Sequence, residues 1–295
     1  MSDLRVKPLK VLVVSGGHPF ELEPFLAMFS ANPDIDFTHV QPPEAREWFR
    51  ASHVGEWDAI VCYDMQGFIL RNPELLESAE PSAEPVKYAE GVQFEEPPAE
   101  YAEGLIAMLE AGQGVVFLHH AMSAWPSWPL WAEIVGGRWH YFPAELHGRQ
   151  WPSSGYTKEV SHRITPIDPN HPICAGLEEG FEIVDEIYLN PIFEDQIVPL
   201  LRSDFEMKSK NFYSGELSVQ GRLYESDGWT HPDGSGIVGW VKTAGSSPIV
   251  YLQSGHGPAA YANPGFRRLL ANSIRWVASP EAHQWATEHP TSLRT

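Results

Sequence analysis

A short apolar run that ends in two histidines is the feature that most constrains how this chain folds. Residues 114–121 have the sequence Gly-Val-Val-Phe-Leu-His-His-Ala. A run this short, bounded by a glycine, is typical of a buried strand in a parallel sheet rather than of a buried helix. Because ligands of open α/β sheets bind beyond the carboxyl ends of the strands, we expect His119 and His120 to lie at a binding site. Imidazole can exchange a proton near neutral pH and can also bind a metal ion.

Predicted strands and helices alternate along the first half of the chain. Strands are predicted over residues 10–15, 36–40, 57–64 and 114–118, and helices over residues 21–31 and 99–111. This alternation indicates a doubly wound sheet with helices on both faces. In the second half, extended segments and a hairpin over residues 237–252 predict additional antiparallel strands. We therefore expect a three-layer α/β fold with a mostly parallel central sheet, in which the strands that begin near Lys10 and Gly114 are interior.

The chain length of 295 residues is compatible with one α/β domain, which we place at residues 1–279. This domain carries an acidic insertion at residues 66–98, and residues 74–103 hold nine Glu and one Lys. Because many like charges with little apolar content gain little by folding, we expect residues 74–96 to be poorly packed. The polar residues 280–295 are interpreted as a peripheral tail.

Composition argues against several classes of partner. The formal net charge of -19 disfavours nucleic acid and an anionic membrane surface. The sparse use of cysteine, at Cys62 and Cys174, fits a reducing compartment, and no apolar run resembles a signal core or a membrane span. We therefore expect a cytoplasmic protein. The 13 His, 11 Trp and 10 Tyr suit the binding of a small-molecule carbohydrate, because aromatic faces pack on sugar rings. Assembly into a homo-oligomer is left open.

Five groups of polar residues end predicted strands or lie in glycine-containing loops. These groups are Gly17 and His18, His119 and His120, residues 137–140, residues 185–188, and residues 255–257. Because the fold gathers such loops at one edge of the sheet, we predict that one pocket collects the side chains of His18, His119, His140, Glu186 and His256. The residues interpreted as substrate-binding are His18, His120, His140, Tyr188 and Trp139.

The residue types in this predicted pocket leave two chemical roles open. General acid/base catalysis needs one or two ionisable groups beside a substrate, and Glu186 is the first choice for the base, with His119 or His256 as the alternative. A divalent metal ion is the other role, with His119, His140, Glu186 and His256 as candidate ligands, although no tight motif such as His-Glu-x-x-His is present. The chain contains no Gly-x-Gly-x-x-Gly or Gly-Lys-Ser/Thr motif, so no nucleotide cofactor is expected.

The order of these motifs resembles that of the ThuA-like (trehalose utilisation) family. The matching segments are residues 10–17, 112–121, 135–140, 168–177, 185–188 and 255–256, and a terminal helix that contains Trp276. The resemblance implies a flavodoxin-like fold similar to the class I glutamine amidotransferase domain, without its nucleophilic cysteine. It also implies a role in carbohydrate catabolism, often alongside sugar dehydrogenases, with 3-keto sugars as substrates.

Three functions compete at this stage. The first is an enzyme, a hydrolase, lyase or isomerase, that acts on a sugar or an oxidised (3-keto) glycoside by acid/base or metal-assisted chemistry. The second is a non-catalytic sugar-binding module on an amidotransferase-like fold. The third is a cysteine-dependent hydrolase, which is disfavoured because neither Cys62 nor Cys174 follows a strand at the expected nucleophile position.

Overall fold

A computed structural model describes residues 7–70 and 92–293 of the chain. Its strands are β1 (Leu9–Gly16), β2 (Ile35–Val40), β3 (Ala59–Asp64), β4 (Phe68–Leu70), β5 (Val92–Phe94), β6 (Val115–Leu118), β7 (Ala144–Leu146), β8 (Arg149–Trp151), β9 (Gly155–Pro166), β10 (Phe181–Leu189), β11 (Val198–Ser203), β12 (Tyr213–Ser214), β13 (Ile237–Ala244) and β14 (Ser247–Leu252). Its α-helices are α1 (Leu22–Ser30), α2 (Ala99–Glu110), α3 (Pro129–Val135), α4 (Gly215–Val219), α5 (Pro258–Ala262), α6 (Pro264–Val277) and α7 (Pro280–Glu288). In these two stretches, no helix combines the length and the apolar character needed to cross a bilayer.

One large sheet organises the described residues. Its strands follow the order β10-β9-β11-β13-β14-β6-β3-β1-β2, and β12 pairs with β9. The five strands from β14 to β2 are parallel, whereas β13, β11, β9 and β10 extend the sheet with antiparallel pairs. The predicted fold class is therefore confirmed. β1 and β6 each have a neighbour on both sides, as their continuous apolar sequences predict.

Helices cover both faces of the parallel half, which gives the three layers. Alternate residues of β1 point to opposite faces, so that Val11 packs in one core and Leu12 in the other. The first core contains side chains of α1, α6 and α7, and the second contains side chains of α2 and α3. The two cores hold the carboxyl ends of the parallel strands in a fixed arrangement, which positions the polar residues that follow them.

The predicted insertion and the predicted tail have different outcomes. At the base of the insertion, β4 pairs with β5, but residues 71–91 lie outside the described part, together with most of the segment expected to be poorly packed. Residues 280–295, which we interpreted as a peripheral tail, begin with α7, in which Ala282 and Ala286 are fully buried. Two alanines at an i, i+4 spacing present a small surface that lets a mostly polar helix pack closely. The polar composition of the segment does not reveal this packing.

Candidate functional site

His119 lies inside the protein at the carboxyl end of β6. It is fully buried, and its φ of 48° places it in the left-handed region that non-glycine residues rarely adopt. Its Nδ1 lies 2.6 Å from the carbonyl oxygen of Gln253. Because a carbonyl only accepts hydrogen bonds, Nδ1 carries a proton, which leaves Nε2 to face the site and to present a lone pair whenever the ring is neutral.

Glu186 reaches the same point through an irregularity in the antiparallel half of the sheet. The β9–β10 register shifts between Asp185 and Ile187, so that two residues of β9 oppose Glu186 alone, and one of them, Glu159, has a φ of 55°. Such bulges re-aim side chains and increase strand twist. Although β10 lies at the far edge of the sheet, Glu186 Oε2 is 3.0 Å from His119 Nε2. The antiparallel half therefore curls back towards the end of β6.

His256 lies in the glycine-containing turn after β14, and Asp185 holds this turn. Asp185 Oδ2 accepts a hydrogen bond from the Gly255 amide at 2.7 Å, and Oδ1 accepts one from the His256 amide at 3.0 Å. The Glu186 amide donates to the same Oδ1 at 2.9 Å. One buried carboxylate thus ties the backbone of Glu186 to the backbone of His256.

Three side-chain atoms meet in a nearly equilateral triangle, which we call the His–Glu–His cluster. His119 Nε2 and His256 Nδ1 each lie 3.0 Å from Glu186 Oε2, and they lie 3.1 Å from each other. His119 and Glu186 are buried, whereas the His256 side chain is 23% exposed. His256 is therefore the member of the cluster that faces the solvent. Among residues 7–70 and 92–293, these three form a group whose donor atoms are close enough to hold a metal ion.

The charges of the cluster favour a carboxylate beside a protonated imidazole. Burial alone would raise the pKa of Glu186, but hydrogen bonds and charges from His119 and His256 outweigh it and hold this pKa well below its usual range. Burial alone would lower the pKa of His256, but the hydrogen bond and the charge of Glu186 outweigh it and raise that pKa. The direction for Glu186 is opposite to the tuning towards neutrality expected of a general base. The proton of this pair therefore resides on His256.

Tyr188 and Trp139 form an aromatic side of the site. The Tyr188 hydroxyl lies 2.7 Å from His119 Nε2, and the two rings stack with centroids 4.5 Å apart. Burial, and then the charge of Glu186, raise the pKa of Tyr188 well above its usual value, so the hydroxyl remains a donor. The Trp139 ring packs on Tyr188 with centroids 4.9 Å apart.

His18 and His120 lie beside the cluster as neutral rings. The His18 ring is 5.0 Å from that of His120 and 5.6 Å from that of His256, measured between centroids. Burial, followed by the charge of His256, lowers the pKa of His18 to about 4. Burial also lowers the pKa of His120 well below its usual value, and neither ring nitrogen of His120 has a hydrogen-bond partner among the described residues.

The structure does not bring His140 into the cluster. Its amide donates to Ser154 Oγ at 2.9 Å, and its buried ring is influenced by the charges of Arg138 and His231 rather than by the cluster. Burial, and then these two charges, lower the pKa of His140 to about 4. Its carbonyl oxygen also accepts from the Ser154 amide at 2.8 Å, so both backbone groups of His140 are bound to Ser154. As a metal ligand, His140 is therefore excluded by position.

Two supporting residues were missed by the sequence analysis. Asp185 directly precedes Glu186, and its position in the same polar group was a usable signal. Gln253 contributes a backbone carbonyl to His119, and its side-chain Oε1 accepts from the Tyr188 amide at 3.2 Å. A carbonyl contribution leaves no trace in the residue type, so no signal could have revealed it.

Both cysteines lie outside the site. Cys62 is buried within β3, and Cys174 is buried in a 3₁₀ turn. Burial raises the pKa of the Cys62 thiol well above its usual value and that of Cys174 to about 11. Neither thiol is a ready nucleophile, since the thiolate is the reactive form.

Comparison with known protein families gives a match over the part of the chain that contains the cluster. The family of trehalose utilisation proteins, ThuA, matches residues 92–277, which include the whole His–Glu–His cluster. No curated protein sequence matches the chain.

Solved structures of ThuA-like proteins share the fold across almost the whole chain. A putative ThuA-like protein from Parabacteroides merdae is 16% identical with a TM-score of 0.60, and the match covers 97% of this chain and 92% of that one. A second, from Bacteroides uniformis, is 15% identical with a TM-score of 0.59 and 94% coverage of each chain. A protein from Salmonella typhimurium described as cytoplasmic is 11% identical with a TM-score of 0.51, covering 91% of this chain and 98% of that one.

Proposed function

Because the chain belongs to the ThuA family, whose description is trehalose utilisation, we propose that it is an enzyme of carbohydrate catabolism that acts on a sugar or an oxidised (3-keto) glycoside. The reaction class is hydrolysis, elimination or isomerisation, by acid/base or metal-assisted chemistry at the His–Glu–His cluster. The substrate is a small-molecule carbohydrate, and we place the reaction in the cytoplasm, in keeping with the Salmonella protein described as cytoplasmic.

The observation that carries this proposal is the contact of Glu186 with two imidazoles at 3.0 Å each. In the acid/base form, His256 exchanges the proton because it is the exposed member of the pair, and Glu186 stabilises the imidazolium. Such a positioned group contributes about 10²–10⁴-fold to a rate. Tyr188 and Trp139 make this side of the site aromatic, which suits a sugar ring.

The experiment compares turnover of a methyl 3-keto-glucoside and of trehalose by the wild type and by Glu186→Gln, with products resolved by chromatography. The substitution keeps the shape and removes the charge, so we expect turnover to fall about a hundredfold or more while the melting temperature is retained. Glu133→Gln is the matched control, since it removes a carboxylate that pairs with His147 on the surface at 2.7 Å.

Full turnover by Glu186→Gln would contradict the assignment of the cluster. If the wild type binds these sugars saturably but turns over none of them, the protein is a sugar-binding module and not an enzyme. Turnover that disappears on thiol alkylation of the folded protein would revive the cysteine-dependent hydrolase.

A further inference from the structure

We propose that the His–Glu–His cluster is a binding site for one divalent transition-metal ion, with His119 Nε2, Glu186 Oε2 and His256 Nδ1 as ligands on one side of the ion. This inference rests on the proposed function in one respect, because it selects the metal-assisted form of the reaction over the acid/base form. Metal binding itself is measurable without any substrate.

The chemistry of the three atoms favours a metal ion. Because Nδ1 donates to Gln253, the neutral His119 ring can offer only the Nε2 lone pair to a metal ion, and Glu186 Oε2 is an acceptor. The three atoms lie 3.0–3.1 Å from one another, which requires a cation among them. Without a metal ion this cation is the proton on His256, and a metal ion would displace it. The Tyr188 hydroxyl holds one proton and so satisfies only one acceptor. A metal ion would satisfy all three at once.

The size of the triangle matches the coordination geometry of a six-coordinate ion. Imidazole nitrogens and carboxylate oxygens bind transition metals at about 2.0–2.2 Å. An ion at about 2.1 Å from each atom of this triangle would see its ligands at mutual angles of about 92°, whereas tetrahedral ligands would lie about 3.4 Å apart. The triangle therefore fits one face of an octahedron, the arrangement in which two His and one carboxylate leave three positions open.

The groups behind the ligands hold them in position. A metal-binding His almost always donates its other ring N–H to a carbonyl or carboxylate, and His119 does so to Gln253 at 2.6 Å. Asp185 fixes the backbone of both remaining ligands through three amide hydrogen bonds of 2.7–3.0 Å. The ligands are thus held in place before any ion arrives.

The ligand set indicates which ions and which substrates suit the site. Two imidazoles disfavour Mg²⁺ and Ca²⁺, which prefer oxygen ligands, and favour ions from Mn²⁺ to Zn²⁺. The three open positions suit a substrate with neighbouring oxygens, such as the carbonyl and the adjacent hydroxyl of a 3-keto sugar. The site would then bind a vicinal hydroxyketone more tightly than the parent alcohol.

The test measures Co²⁺ and Zn²⁺ binding by the full chain after chelation, using equilibrium dialysis with elemental analysis. We expect one equivalent per chain for the wild type, with the weak visible bands of six-coordinate Co²⁺. Affinity should fall more than about a hundredfold in His256→Gln, which replaces the exposed ligand. Glu186→Gln is the second variant, and circular dichroism checks that each variant folds. His147→Gln is the matched control, because it removes a surface His that pairs with a carboxylate at 2.7 Å, and it should bind like the wild type.

Equal binding by all four proteins would place the ions on surface histidines and overturn the proposal. The intense visible bands of four-coordinate Co²⁺ would also overturn it. The absence of any bound equivalent in a wild type that still turns over a sugar would overturn the metal site but leave the proposed function intact. One tightly bound equivalent without turnover of any sugar would support the metal site and count against the proposed function.

Discussion

Asp64 should make the stability of this protein depend on pH in a window that can be calculated. Asp64 ends β3 and is 1% exposed, and its Oδ1 has no hydrogen-bond partner among the described residues. Its Oδ2 accepts from Gln66 Nε2 at 2.7 Å, and Gln66 in turn accepts from Arg46. Burial raises the pKa of Asp64 from 3.8 to about 6, against the opposing effect of the Gln66 hydrogen bond.

The linkage between protonation and folding gives the sign and the size of this pH dependence. Because the folded pKa lies above the unfolded one, the folded state holds the proton more tightly. The associated stability is fully present below about pH 4 and is lost as the pH rises through about 6. The difference between 3.8 and about 6 corresponds to about 3 kcal/mol at 1.36 kcal/mol for each pKa unit. The side chain is almost completely buried, so solvent screening does not reduce this figure appreciably.

The assay is urea unfolding of the wild type and Asp64→Asn at several pH values from about 3.5 to 7.5, followed by tryptophan fluorescence. The free energy of unfolding of Asp64→Asn minus that of the wild type should increase by about 3 kcal/mol across this window. The change with pH is independent of any constant offset caused by the amide. Asp36→Asn, which removes an exposed carboxyl from β2, is the control. A difference that stays constant with pH would refute the reasoning.

Two further predictions concern the site and the core. Asp185→Asn should weaken metal binding tenfold to a hundredfold and lower kcat, because the amide nitrogen that replaces one carboxylate oxygen cannot accept a hydrogen bond from the backbone. Unchanged metal affinity and kcat would show that Asp185 does not position the cluster. Gly114→Ala should lower the free energy of unfolding by about 1–3 kcal/mol in denaturant titrations, because its Cβ would lie 2.2 Å from the Val277 carbonyl oxygen. Gly257→Ala, with nothing within 4 Å of the added Cβ, should be neutral, and equal effects of the two substitutions would contradict the packing argument.

Local sequence patterns predicted the parallel half of the fold. The runs at β1 and β6 are apolar on both faces because helices cover both, and this requirement is visible in the sequence without knowledge of the neighbours. The same logic placed His119 at the end of a strand. Helix boundaries followed from spacing and from breakers, as at α2, which ends just before Gly112.

The assembly of the site could not be predicted in the same way. Glu186 meets His119 only because β10 curls back across the sheet and the register shifts at Glu159. Curvature of this kind arises from long-range pairing, and no residue near Glu186 encodes it. His140 does not join the cluster, and its backbone instead pairs with Ser154 through two hydrogen bonds, a contact that the sequence of residues 137–140 does not reveal.

The arrangement of the cluster favours chemistry over simple sugar binding. A module that binds hydroxyl groups needs donors and acceptors directed at the ligand, and it gains nothing from directing them at each other. Here the site-facing nitrogens of His119 and His256 and an oxygen of Glu186 are directed at one another, and His119 adopts a left-handed backbone conformation that costs about 1–3 kcal/mol. Two buried carboxylates, Asp185 and Glu186, add a further desolvation cost. Such costs are offset in an enzyme, because a fixed charge and a movable cation, whether proton or metal, act on a bound substrate without further reorganisation.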